Sequence, residues 1–158
     1  MLVGSVITLG GHIILKVVPY NRKLLNEFLK NARPKDLQEV KIVSGLKKIR
    51  LSDFGKCDII IDDITNEVYG VGGVEELEGM NGVWLLCTHK VEEHPVKFLR
   101  FIKKYNDTLT TKYNLTWNIA WLGNDLHIRW LKWMGAKFLD NVVKINGEKF
   151  QRFEFRKE

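Results

Sequence analysis

The stretch Gly82-Val-Trp-Leu-Leu-Cys-Thr88 decides the fold. It carries no formal charge and suits a buried strand. A polar turn, His89-Lys-Val-Glu-Glu93, follows at once, and His94-Pro95 then opens a helix, since proline is tolerated at a first helical position. In that helix, which runs to about Tyr113, Phe98, Ile102, Tyr105 and Leu109 share one face, the apolar stripe of a 3.6-residue period. Lys97, Arg100, Lys103 and Lys104 take the opposite face. A strand feeding directly into a helix is where many α/β proteins hold a phosphate or thioester cofactor, because the first N–H groups of the helix point at the ligand.

Downstream, Leu115, Trp117, Ile119 and Trp121 alternate with Thr116, Asn118 and Ala120, which predicts a strand over 115–122 with one heavily apolar face. Gly123-Asn-Asp125 caps a helix that carries Leu126, Trp130 and Trp133 and ends at Gly135. Asn146-Gly147 between two β-like runs in the tail predicts a hairpin.

Upstream, Asp58 to Asp63 and Val68 to Val74 read as two strands joined by a turn at Thr65-Asn-Glu67. Gly70, Gly72 and Gly73 are expected to weaken or bulge the second of them, and Glu75 to Asn81 reads as an acidic loop. Before these, His12 to Val18 is a candidate first strand, closed by Pro19. Asn21 is the N-cap of a helix through Leu29, and Pro34 starts a second helix reaching Val43. Leu46 to Lys56 is mixed, a short helix or a loop. The expected architecture is α/β, a mixed and mostly antiparallel sheet with one parallel strand pair and helices on both faces. No linker, repeat or low-complexity stretch divides residues 1–158, so one domain is expected.

The net charge of +6 is unevenly placed. Residues 1–79 carry 11 basic and 11 acidic side chains, while residues 80–158 carry 14 and 8 and supply the whole excess. All five tryptophans also fall between Trp84 and Trp133. A basic, aromatic half suits an acidic protein surface, a phosphorylated cofactor or nucleic acid. No recognisable nucleic-acid-binding motif accompanies it, so nucleic acid is not the expected partner. Cys57 and Cys87 have neither zinc nor redox spacing and read as buried thiols in a reducing compartment. The apolar stretch Met1 to Leu15 is broken by Gly4, Gly10, Gly11 and His12 and lacks a basic leader region, so no membrane span is expected.

The element order, centred on Val83 to Phe138, resembles the GNAT N-acyltransferase fold. Three segments carry a narrower resemblance: Trp84-Leu-Leu-Cys-Thr88, His94-Pro-Val-Lys-Phe-Leu-Arg100, and Asn124 through Ile128-Arg-Trp-Leu-Lys-Trp-Met-Gly135. In that order they are similar to the GNAT-like internal virion proteins of podophages. This resemblance implies a GNAT-like domain with a C-terminal hairpin, and a role in assembling the internal core of a virion. It implies other phage virion proteins as partners, with self-association open, and a location in the host cytoplasm during assembly and then in the particle.

It also implies where an acyl-CoA would lie. GNAT enzymes cradle the pyrophosphate with Q/R-x-x-G-x-G/A. The matching stretch here, His89 to Val96, has no glycine, loses an N–H donor at Pro95, and places Glu92 and Glu93 beside the phosphate position. The proton-donating tyrosine of the fourth GNAT helix corresponds to Leu131, which transfers no proton. What the family pattern leaves for a cofactor is strand backbone at Leu86, Cys87 and Thr88, with Lys97 and Asn124 nearby. Glu75, Glu76 and Glu78 are the candidates for a general base. Cys87, His89 and His94 form a candidate metal or nucleophile cluster that matches no common zinc spacing, and His127 takes the small-residue position of the helix motif. The reading is an assembly protein with a degenerate acyltransferase site and no cofactor expected. The alternative is an acetyl-CoA-dependent N-acyltransferase with a divergent cofactor loop.

Overall fold

The computed structural model describes residues 12–158. Seven strands form one sheet in the order β1-β2-β3-β4-β5-β7-β6. They are β1 Leu15–Val18, β2 Asp58–Asp62, β3 Val68–Leu77, β4 Met80–Cys87, β5 Leu115–Trp121, β6 Lys137–Ile145 and β7 Glu148–Arg156. Every pairing is antiparallel except β4 with β5, which is parallel. The helices are α1 Arg22–Asn31, α2 Pro34–Ser44, α3 Lys90–Glu93, α4 Pro95–Tyr113 and α5 Asp125–Trp133.

Alternation along β2 shows how the sheet is sandwiched. Ile59 and Ile61 pack with Leu25 and Phe28 of α1, together with Val71 and Leu86. Ile60 points the other way, into a cluster with Phe98 and Ile102 of α4 and Trp130 of α5. Both faces are therefore apolar, and β2 has the continuous apolar run expected of a strand covered on both sides.

Local chemistry sets most of the boundaries. Asn21 caps α1, its Oδ1 accepting the Leu24 N–H at 3.0 Å. Pro34 opens α2 and Pro95 opens α4. Leu46 to Lys56 is irregular apart from a 3-10 turn at Leu51–Asp53.

Two expectations need correction. The acidic loop from Glu75 to Asn81 does not exist as a loop. β3 continues to Leu77 and β4 begins at Met80, joined by a tight hairpin in which Glu78 and Gly79 both have positive φ. Two such residues make the turn whose twist matches the flanking strands, as Asn146 and Gly147 do between β6 and β7. The bulge expected of the glycine-rich β3 is present on its β2 side: Ile60 pairs with Gly70 and Ile61 with Val68, which leaves Tyr69 as the extra residue, while the β3–β4 register runs unbroken from Gly70 to Leu77. Gly72 permits close approach: a Cβ there would lie 2.5 Å from the Trp84 carbonyl oxygen. The first strand is also shorter than expected, starting at Leu15, with Ile14 N–H given to the Asp62 carboxylate instead of a ladder. The remainder of the apolar stretch, residues 1–11, lies outside the described residues.

Candidate functional site

The parallel pair β4–β5 meets only at Gly82 and Trp117. Beyond that point the strands diverge, and side chains take over the hydrogen bonds that a ladder would otherwise make. At the narrow end Asn118 spans the gap, its amide donating to the Val83 carbonyl at 3.0 Å and its oxygen accepting the Ile119 N–H at 2.8 Å. At the wide end α2 projects two carboxylates into the fork. Asp36 accepts the Cys87 N–H of β4 at 2.6 Å, and Glu39 accepts the Trp121 N–H of β5 at 3.0 Å. The Cys87 carbonyl accepts the Arg33 N–H at 2.9 Å. Both outward backbone groups of Cys87 are thus engaged by the start of α2.

Asp36 is fully buried and is the centre of a polar cluster. Its Oδ1 meets the Arg33 guanidinium at 2.5 Å and the Asn124 amide at 3.1 Å. His127 Nε2 lies 3.2 Å from Oδ2, with its ring stacked on Trp130. Burial alone would raise the Asp36 pKa, but His127, the Arg33 charge and the Cys87 N–H together hold it below the usual carboxylate value. Arg33 also reaches Glu92 at 2.8 Å. Glu39 goes the other way: burial pushes its pKa up, and the nearby His127 and the Trp121 N–H only partly oppose this. Cys87 is fully buried, and that burial raises its thiol well above the ordinary value.

The sequence-derived candidates separate clearly. Cys87 and Asn124 come together, linked through Asp36. Asn124 is not a side-chain helix cap, because its amide is spent on the buried cluster. Leu86 faces the α1–α2 side of the core, and the Thr88 hydroxyl is used on the Val68 carbonyl. Lys97 is exposed on α4. The turn from His89 to Glu93 is largely a short helix, α3. Glu75 and Glu78 stand on the wall of the cleft described below, while Glu76 does not. The imidazole beside Cys87 is His127; His89 is exposed and lies against the Asn31 carbonyl. Ligand atoms of Asp36, Cys87 and His127 fall within 4.8 Å of one another. The donor set is poorly suited to a cation, because Asp36 is already shared among Arg33, Asn124 and Cys87, with a guanidinium against it.

Arg33, Asp36 and Glu39 went unrecognised in the sequence. The available signal was their spacing of three along a proline-started helix, which turns such residues toward one side.

A cleft of about 800 Å³ runs through the fork from the α2 face of the sheet to the α4–α5 face. Its wall includes Trp84, Trp117 and Arg152 on one side and Tyr105, Asn106 and Leu131 on the other. Tyr105 donates to Asp58 there.

This architecture, seven strands splayed between the fourth and fifth, is the GNAT fold. A spermidine N-acetyltransferase from Vibrio cholerae, solved in complex with CoA and spermine, matches 90% of this chain and 95% of its own with a TM-score of 0.64 at 13% identity. A GNAT-family acetyltransferase from Bacillus anthracis matches 90% of this chain and 94% of its own with a TM-score of 0.66 at 8% identity. By sequence, residues 58–143 match the family described as "Bacteriophage T7, probable scaffold protein Gp13", and the chain belongs to that family. The "Probable scaffold protein gp13" of Escherichia phage T7 is 41% identical over 61 residues, covering 39% of this chain and 43% of the phage protein. The match therefore spans less than half the length of that relative.

Proposed function

We propose that this chain acts in phage particle assembly as a protein-binding component, on a GNAT scaffold whose cofactor slot is filled from within. The observation that carries the reading is the engagement of Cys87. In the GNAT arrangement, strand backbone at Leu86 to Thr88 would hold a pantetheine arm. Here the Cys87 N–H and carbonyl are already bonded to Asp36 and to the Arg33 N–H. A cofactor would have to displace a buried carboxylate together with its arginine, and its pyrophosphate would meet Glu92 and Glu93 in a stretch without glycine. The residues present do not fit an acyl-CoA.

Family membership supports the assembly role, and the partners on this reading are other virion proteins in the host cytoplasm, with the chain then carried into the particle. Residues 1–158 act as one GNAT-like unit. Among the described residues, no helix is long and apolar enough to cross a membrane. Of the five tryptophans, Trp117, Trp121 and Trp130 are buried and belong to the core, whereas Trp133 is 53% exposed on α5. An exposed tryptophan between Arg129 and Lys137 has the composition of a binding hot spot.

The second reading, an N-acyltransferase with a divergent cofactor mode, draws on the open cleft and on Glu39 and Glu75 in its wall. Isothermal titration with acetyl-CoA and with CoA decides between them. The assembly reading expects no heat of binding, and micromolar affinity for either ligand overturns it.

A further inference from the structure

The sheet ends on β6, and the free side of that strand carries exposed apolar residues. β6 runs for nine residues and, among the described residues, has β7 as its neighbour on one side and no strand on the other. Val142 and Val143 point to opposite faces of the sheet and are 49% and 44% exposed. Val43 of α2, itself 50% exposed, shares a wall with Val143, so the apolar surface continues past the strand on that face. An unpaired edge of this kind is a template for another strand.

Backbone direction and charge restrict what can pair there. Ile145 and Glu148 flank the two-residue turn at Asn146-Gly147, and the pair that closes such a turn exchanges both of its N–H···O bonds. Alternation then turns the N–H and C=O of Val143 toward β7 and those of Val142 and Lys144 outward. Lys144 lies directly opposite Lys149 of β7, a like-charge pair that costs stability. The register shift between Phe138 and Val142 leaves Asp140 without a cross-strand neighbour on β7. All three charged residues are exposed, and none has an ion-pair partner among the described residues.

We infer that β6 pairs antiparallel with β6 of a second copy of this chain, about a two-fold axis at Val142. Outward groups of one strand must meet outward groups of the other, so Val142 can face Val142 or Lys144 but not Val143. Centring on Val142 sets Asp140 of each strand opposite Lys144 of the other, and Leu139 opposite Ile145. Each Lys144 then gains a carboxylate that offsets Lys149, twice over by symmetry. Centring on Lys144 would bring two lysines together, and centring on Val143 would leave Lys144 facing Val142. The occupant is a second copy because in this one register the strand is its own charge complement. Such a contact is isologous and closes at two chains, joining two sheets edge to edge. It uses neither the fork nor Trp133, and it does not rest on the assembly reading.

Sedimentation velocity on the intact chain tests the pairing by charge swap. The parent protein is expected to form a dimer in the micromolar range. Asp140→Lys and Lys144→Asp, each alone, set like charges opposite one another twice and are expected to weaken the dimer about tenfold or more. Mixed in equal amounts, the two variants regain both ion pairs, so a heterodimer is expected, and the chain carrying both substitutions is expected to recover the homodimer. Rescue by mixing also separates a lost contact from a lost fold, since a misfolded chain is not rescued. Exchange of the Val142 amide proton is expected to slow as the concentration of the parent protein rises. A parent chain that stays monomeric up to millimolar concentration overturns the proposal. A dimer that neither single substitution weakens overturns it as well, because the contact then lies elsewhere. Failure of the mixture to associate overturns the register and with it the pairing of Asp140 with Lys144.

Discussion

Asp36 on α2 accepts the backbone N–H of Cys87 at the end of β4 at 2.6 Å, joining residues 51 positions apart inside a fully buried cluster. Removing that carboxylate strands the Cys87 N–H and the Asn124 amide and leaves the buried Arg33 guanidinium with Glu92 as its remaining carboxylate. Asp36→Ala is therefore expected to lower stability by about 3–5 kcal/mol, the cost of removing one partner of a buried ion pair. Asp36→Asn keeps the acceptor for Cys87 and is expected to cost less. Urea unfolding of both variants checks the order.

Acid titration separates Asp36 from Glu39 by sign. The folded pKa of Asp36 is lowered, so its contribution is fully present above the unfolded value and is lost as pH falls through the folded one. For Glu39 the folded pKa is raised. The fold then favours its protonated form, and the associated stability is present at low pH and lost as pH rises through the folded pKa. Glu39→Gln, whose amide oxygen can still accept the Trp121 N–H, is expected to flatten the loss of stability between about pH 4.5, near the unfolded value, and neutrality. Thermal melts across that range, compared with the parent protein, give the answer.

Neighbouring glycines of β3 are expected to behave differently. A Cβ on Gly72 would lie 2.5 Å from the Trp84 carbonyl oxygen, which is backbone and cannot swing aside, while a Cβ on Gly73 meets only the Trp84 indole at 3.8 Å. Gly72→Ala should cost about 1–3 kcal/mol through overpacking. Gly73→Ala should be neutral or slightly stabilising, because it reduces the freedom of the unfolded chain. Paired denaturation curves distinguish the two.

Trp133 offers a test of the assembly reading that leaves the core alone. It is 53% exposed, so Trp133→Ala should change stability by no more than about 0.5 kcal/mol. Incorporation into phage particles, measured against the parent chain, is expected to fall. Normal incorporation would remove α5 from the interface.

The layered architecture was legible in the sequence because its signals are local. The stripe of Phe98, Ile102, Tyr105 and Leu109, the caps at Asn21 and Pro95, and the turn at Asn146-Gly147 each read correctly without reference to distant residues. The site was less legible because it is built from long-range pairs. Nothing near Asp36 announces Cys87, and nothing near Glu39 announces Trp121, 82 positions away. Asn124 illustrates the difficulty: its place before α5 was visible, but the use of its side chain depended on a carboxylate 88 positions earlier. The acidic run at Glu75 to Glu78 misled for a related reason, since cross-strand pairing overrode its polar composition.

The fork has a further consequence for how the molecule opens. With Gly82 and Trp117 as the one paired position between β4 and β5, the sheet consists of two hydrogen-bonded blocks, β1 to β4 and β5 to β7. Asn118 clasps them at one end of the seam and α2 at the other. Loosening α2 from its seat would expose the amides of Cys87 and Trp121 together, although they sit on different strands. Their amide protons should exchange with solvent in a single event, and the two halves of the sheet behave as separate cooperative units held by two clasps, of which α2 closes the wide end.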